Sequence, residues 1–135
     1  MHALNHGGNC RRIFLGSAIV AVFTVSGCGR KHVPSDAALA RQSLTTALES
    51  WKAGDPPSKI REVSPSITMV DPAWEAGKKL ESFEVVGPEV DDGANLVCPV
   101  KLVCQDQQGK TLTAQIKYVV GTTPVVTIFR HRSSY

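Results

Sequence analysis

Asn95-Leu96-Val97-Cys98-Pro99-Val100-Lys101-Leu102-Val103-Cys104-Gln105, then Asp106-Gln107-Gln108-Gly109-Lys110, then Thr111-Leu112-Thr113-Ala114-Gln115-Ile116-Lys117-Tyr118-Val119-Val120, is the stretch whose reading decides the fold. Its first arm alternates. Leu96, Cys98, Val100, Leu102 and Cys104 fall on one face, as in a strand with one buried side. Gly109 supplies the left-handed residue that a type I turn with a bulge needs. Pairing Asp106 with Lys110 then sets Cys104 opposite Leu112, Leu102 opposite Ala114, Val100 opposite Ile116 and Cys98 opposite Tyr118. Thr111, Thr113, Gln115 and Lys117 all point the other way. A one-residue slip would turn every apolar residue to the wrong face, so turn and pattern specify the same hairpin.

Beyond this hairpin, Gly121-Thr122-Thr123-Pro124 breaks the chain and Val125–Phe129 reads as a final strand. Before it, Asp91–Ala94 is a turn. Lys79–Val86 is a strand in which Leu80, Phe83 and Val85 do not alternate, which predicts a bulge near Glu81–Ser82. Ile67–Val70 is a short strand, and Asp71-Pro72-Ala73-Trp74 a turn. Further upstream, Ala37, Ala40, Leu44, Ala47, Leu48 and Trp51 recur at three- and four-residue spacing. This predicts an amphipathic helix capped by Ser35, with Asp36 in its first turn and Gly54 after its last. Asp55-Pro56-Pro57-Ser58 reads as the start of a second, shorter helix through about Val63, with Ile60 and Val63 facing inward. Helix first and strands after give an α+β domain. One long N-terminal helix and a short second one pack on a curved antiparallel sheet of about four strands. This element order resembles the cystatin-like or nuclear transport factor two-like architecture.

Residues 1–27 stand apart from the fold. Arg11 and Arg12 precede an apolar run, Ile13–Val25, that is shorter than the roughly 20 residues of a membrane span. Val25-Ser26-Gly27-Cys28 follows. Small residues before a cysteine resemble the bacterial lipobox, with Val25 where Leu is usual. The resemblance implies cleavage between Gly27 and Cys28 and lipidation of the Cys28 thiol. An ordinary cleaved signal and an uncleaved short anchor are the alternatives. Arg11-Arg12-Ile13-Phe14-Leu15 also resembles a twin-arginine export core, with Cys10 where Ser or Thr is usual, and the general secretory route stays open. The expected organisation is a signal peptide at 1–27, a tether at 28–34, a domain at 35–130 and a frayed tail at 131–135. Arg30 and Lys31 would lie beside anionic headgroups, and lipid plus a basic pair suffices for attachment. The expected location is the cell envelope, facing the periplasm or the outer surface.

Charge narrows the partners. The 135 residues carry 15 Lys+Arg against 12 Asp+Glu, a net of +3, too small and dispersed for a nucleic-acid binder. Without the signal's two arginines the chain is nearly neutral. The hydrophobic content of 42% excludes wholesale disorder.

Export permits disulfides, yet Cys98 and Cys104 lie six residues apart in one strand. That spacing separates them by about 20 Å, against a Cα limit of about 7 Å for a bridge. Both are expected as free, buried thiols. A bulge at Pro99 that folds the strand back is the alternative. No metal site is expected, because His32 and His131 lie near the ends of the mature chain. No cofactor motif or catalytic constellation appears. Tyr118 is the one inward residue with a polar tip, and so the one candidate for an interior pocket. Asp71 beside Trp74 and Glu75 reads as a capped turn with a solvated carboxylate. Val97, Val103 and Val119 fall on the outward face, where a partner could cover them. The reading is a non-catalytic binding or interaction module, held on the membrane by its lipid, with an envelope protein as partner. A small-molecule binder or enzyme using the interior of the fold is the alternative.

Several phrases carry a family resemblance: Trp51-Lys52-Ala53-Gly54, Asp71-Pro72-Ala73-Trp74-Glu75-Ala76-Gly77, Cys98-Pro99-Val100 and Tyr118-Val119-Val120-Gly121-Thr122-Thr123-Pro124. From about Leu39 to Arg130 the chain resembles a group of uncharacterised small exported lipoproteins of planctomycete bacteria. The resemblance implies a membrane-anchored domain and supplies no catalytic residues.

Overall fold

The computed structural model describes Gly29 and residues 33–131. The expected signal segment at 1–27, Cys28, residues 30–32 and residues 132–135 of the expected tail lie outside the described residues. From Val33 onward the described residues belong to one compact unit, Lys31–Tyr135. Its elements are helix α1 (Ala37–Lys52), strand β1 (Ile67–Val70), short helix α2 (Pro72–Glu75), and strands β2 (Lys79–Val85), β3 (Val90–Asp91), β4 (Asn95–Gln105), β5 (Thr111–Gly121) and β6 (Val126–Arg130). A three-residue 3-10 turn, Lys59–Arg61, lies between α1 and β1.

The fold is α+β, with one long helix and a short one packed on a curled sheet. The sheet has six strands rather than about four, in the order β1-β6-β5-β4-β2, with β3 beside β4. It is mixed rather than antiparallel, because β1 runs parallel to β6. Parallel neighbours must be far apart in sequence, so no hairpin signal announces this pair. β3 has no counterpart among the expected strands, while β1, expected as a strand, enters the sheet at its margin. β1 extends one side, and β3 shares with β2 the far edge of β4.

The central hairpin has the expected register, from Gln105 opposite Thr111 to Asn95 opposite Gly121. Asp106 closes its turn, donating from its N–H to the Lys110 carbonyl at 3.0 Å, and Gly109 takes φ +82°. The bulge in β2 lies between Leu80 and Ser82. It lets Leu80 face Cys104 and Phe83 face Leu102 on the same side despite their odd spacing.

Helix α1 buries Ala40, Ser43, Leu44, Ala47, Leu48 and Trp51. They meet Leu80, Leu96, Cys98, Val100, Leu102, Val120, Val126 and Ile128 from the sheet. Its cap is Asp36 rather than Ser35. Asp36 is extended, and its carboxylate accepts from the Leu39 N–H at 3.0 Å. The expected second helix shrinks to the 3-10 turn. Pro56 and Pro57 bring no backbone donors, and only i to i+3 bonds form. Ile60 faces inward as expected, but Val63 is exposed.

Candidate functional site

The sheet's outer face, away from α1, carries one continuous apolar row. The strand registers line up Val70 with Phe129, Phe129 with Val119, Val119 with Val97, and Val97 with Val90. The row therefore crosses five strands, β1-β6-β5-β4-β3. Its centre, Val119, is only 6% exposed, while Val70, Phe129 and Val90 are 51%, 44% and 55% exposed. At the Val90 end the row opens into a recess of about 270 Å³ lined by Gly87, Pro88, Val97, Pro99 and the Lys117 side chain. Gly87 sits tightly there, since a Cβ at its position would approach Pro99 Cγ to 3.1 Å.

Of the outward residues named from sequence, Val97 and Val119 lie in this row. Val103 lies on the same face opposite Thr113, outside it. Val70, Val90 and Phe129 escape sequence reasoning. Each is the one apolar residue that its short strand turns to this face, and only the β1–β6 and β3–β4 pairings place them in line.

A second constellation lies inside. Asp71 caps α2, where its Oδ1 accepts from the N–H groups of Ala73 at 2.8 Å and Trp74 at 3.3 Å. Its Oδ2 accepts from the Tyr118 hydroxyl at 2.5 Å and from Arg130 Nε at 2.6 Å. The capping role read for Asp71 holds, but the expected turn is the short helix α2, and Asp71 is 1% exposed rather than solvated. Packing β1 beside β6 carries the residue after Val70 onto the end of β6 and under β5. Tyr118 is fully buried. Burial, then the charge of Asp71, holds its hydroxyl well above the usual tyrosine range. Burial acts to lower the Arg130 guanidinium, but the hydrogen bond and charge of Asp71 outweigh it and raise it. Every group here is committed to another, and the arrangement acts as a tie between β1, β5 and β6. The Tyr118 hydroxyl, the polar tip read as the pocket candidate, ends on Asp71.

Trp51 and Trp74 stack with ring centroids 5.5 Å apart and planes 10° from parallel. Their indole N–H groups donate to the carbonyls of Lys78 and Asp55, so both rings anchor the turns around the helix end. Cys98 and Cys104 are free and buried. Burial pushes the Cys98 thiol up to about 11 and raises Cys104 as well, which makes them poor nucleophiles at neutral pH. Among the described residues no group of three or more His, Cys, Asp or Glu could hold a metal ion. Among them, too, no helix is long and apolar enough to cross a membrane. In comparisons with protein-family models, curated proteins and solved structures, nothing matches this chain.

Proposed function

We propose that this chain is an exported, membrane-anchored lipoprotein of the cell envelope whose domain is a binding module for a protein partner. In this reading Cys28 carries the lipid after cleavage behind Gly27, and residues 28–34 are the tether. The helix crossing a curled sheet is then a cystatin-like arrangement, and the kinship is with the planctomycete lipoproteins.

The observation that carries the binding role is the row Val70–Phe129–Val119–Val97–Val90. Scattered surface valines need no explanation, whereas a contiguous exposed apolar patch marks an interaction site. The interior supports the same reading, because its polar groups, Asp71, Tyr118 and Arg130, satisfy one another.

The test places a photo-crosslinking residue at Phe129 in the full chain and irradiates native membranes. The expected result is one dominant protein adduct, lost when Val90 and Val70 are changed to Ser. Adducts to lipid alone, or the same adducts from a probe at Gln107 in the hairpin turn, would overturn it. Mass spectrometry of the mature protein checks the tether, with a diacylglyceryl-modified Cys28 expected at the N-terminus.

A small-molecule binder is the second reading. It is favoured by a recess of about 170 Å³ between α1 and the sheet, lined by Leu44, Leu48, Phe83, Val85 and Cys98, with the Arg41–Glu89 ion pair beside them. Native mass spectrometry would detect a co-purifying small ligand if this reading were correct.

A further inference from the structure

We propose that two copies of this chain pair edge to edge through Leu112–Ile116 of β5, antiparallel about a two-fold axis at Ala114. The surface is separate from the apolar row above.

The backbone supplies the first observation. In an antiparallel strand successive residues turn their N–H and C=O groups to opposite sides. Lys110 bonds back to Asp106 of the β4 arm, whereas the Lys117 carbonyl accepts from His131 on the other side. Even-numbered residues of β5 therefore bond β4, and odd-numbered ones face away from it. Among the described residues β6 pairs on that far side at Tyr118–Gly121, and His131 extends it to the Lys117 carbonyl. Thr111, Thr113 and Gln115 thus present their backbone groups to an edge that no strand among the described residues covers.

The second observation is that this edge lacks the protection the others have. β2 carries a bulge and the charges Lys79, Glu81 and Glu84. β1 is only four residues long. Such devices discourage edge pairing. Thr111–Ile116 has no charge, proline or bulge, and Leu112 and Ala114 are exposed on the side that faces the core elsewhere in the sheet.

The sequence of the edge chooses its own complement. With the axis at Ala114, Leu112 meets the second copy's Ile116, Thr113 meets its Gln115, and Ala114 meets Ala114. Apolar faces apolar and polar faces polar. An axis at Thr113 would set Lys110 against Ile116, a charge on the apolar row. Any axis between residues would turn one copy's inner face against the other's outer face. In the chosen register the inner rows run on across the axis: Phe83–Leu102–Ala114 continues into its own copy, and Leu80–Cys104–Leu112 continues into Ile116–Val100. His131, bonded to Lys117, closes the lane and limits the pairing to these five residues. A two-fold contact of this kind uses both open edges and closes the assembly at two.

The experiment is oxidative trapping of the full chain in membranes. Facing residues at a non-hydrogen-bonded site lie about 4.5 Å apart at Cα, within disulfide reach. Ala114→Cys should give a dimer band that vanishes on reduction. Thr113→Cys, which faces Gln115, and the parent chain should give none. Charge exchange tests the same contact without oxidation. Ala114→Lys and Ala114→Glu, both at an exposed position of the single chain, should each sediment as monomers and should associate when co-expressed. Trapping through Thr113→Cys, a monomeric parent chain, or unchanged association of both charged variants would overturn the proposal. So would a photo-probe at Ala114 that captures residues 132–135 of its own chain or an unrelated protein. None of these substitutions touches Phe129, so the partner adduct there succeeds or fails independently.

Discussion

Strands β4 and β5 are the two arms of one hairpin, each 11 residues long, in a continuous register. β4 alternates between half-buried and buried along its whole length. β5 is exposed on both faces from Thr111 to Gln115 and buried from Tyr118 to Gly121. Their sequence patterns promise the same burial. The difference lies in what flanks them. Among the described residues β4 has β5 on one side and β2 with β3 on the other, while β5 gains β6 only at its last four residues. Alternation states which face a residue points to; neighbours decide whether that face is covered.

The largest test of this contrast lies at the buried end of β5. Asp71→Ala removes the acceptor shared by Tyr118, Arg130 and the first N–H groups of α2. A buried hydroxyl and a part-buried guanidinium then lose their partner. The expected cost is about 3–5 kcal/mol in urea unfolding, with β1 and β6 losing hydrogen-exchange protection first. A loss below about 1 kcal/mol would mean that Asp71 does not hold the covered half of β5 in place.

Asp71 also marks the boundary of what the sequence makes legible. Asp71-Pro72 announces a cap, and a cap forms. Its burial depends on Tyr118 and Arg130, 47 and 59 residues away, and on a parallel pairing with no local turn to signal it. The long helix, the hairpin register and the β2 bulge were legible because each is written in neighbouring residues. The outer row was half legible for the same reason. Val97 and Val119 belong to the long hairpin, whereas Val70, Val90 and Phe129 join through pairings made at a distance.

Next in size is the covered arm. Leu102 is 1% exposed in the middle of β4, and Leu102→Ala should cost about 2–5 kcal/mol. The same arm carries both thiols, so the contrast also has a pH dependence. Cys98 is held up to about 11 from an ordinary value near 9 by burial. The thiol of the unfolded chain ionises first. The stability this linkage supplies is therefore complete below pH 9 and falls as pH rises toward 11, by roughly 2–3 kcal/mol for a shift of this size. Cys104 and Tyr118, both shifted upward, act in the same direction. Chemical unfolding at pH 8, 9, 10 and 11 measures the loss, and Cys98→Ala should flatten the curve. A curve unchanged by that substitution would show that the thiol ionises as easily folded as unfolded.

The smallest expected effect is the most discriminating. Leu112 lies in register with Cys104 on the inner face, as Leu102 does with Ala114, yet it is 37% exposed. Leu112→Ala in the dilute single chain should cost about 1 kcal/mol or less, because the side chain keeps much of its contact with water in the folded state. A cost equal to that of Leu102→Ala would mean that the open half of β5 is covered in solution. Concentration then separates the two ways of covering it. If a second copy lies along Leu112–Ile116, the cost of Leu112→Ala rises with protein concentration, since apolar area buried at an interface stabilises by mass action. If the chain covers its own edge, the cost is the same at every dilution. Leu102→Ala, buried within one copy, should show no such dependence, and the ratio of the two costs along a dilution series reads out directly what the hairpin's second arm lacks in the single chain.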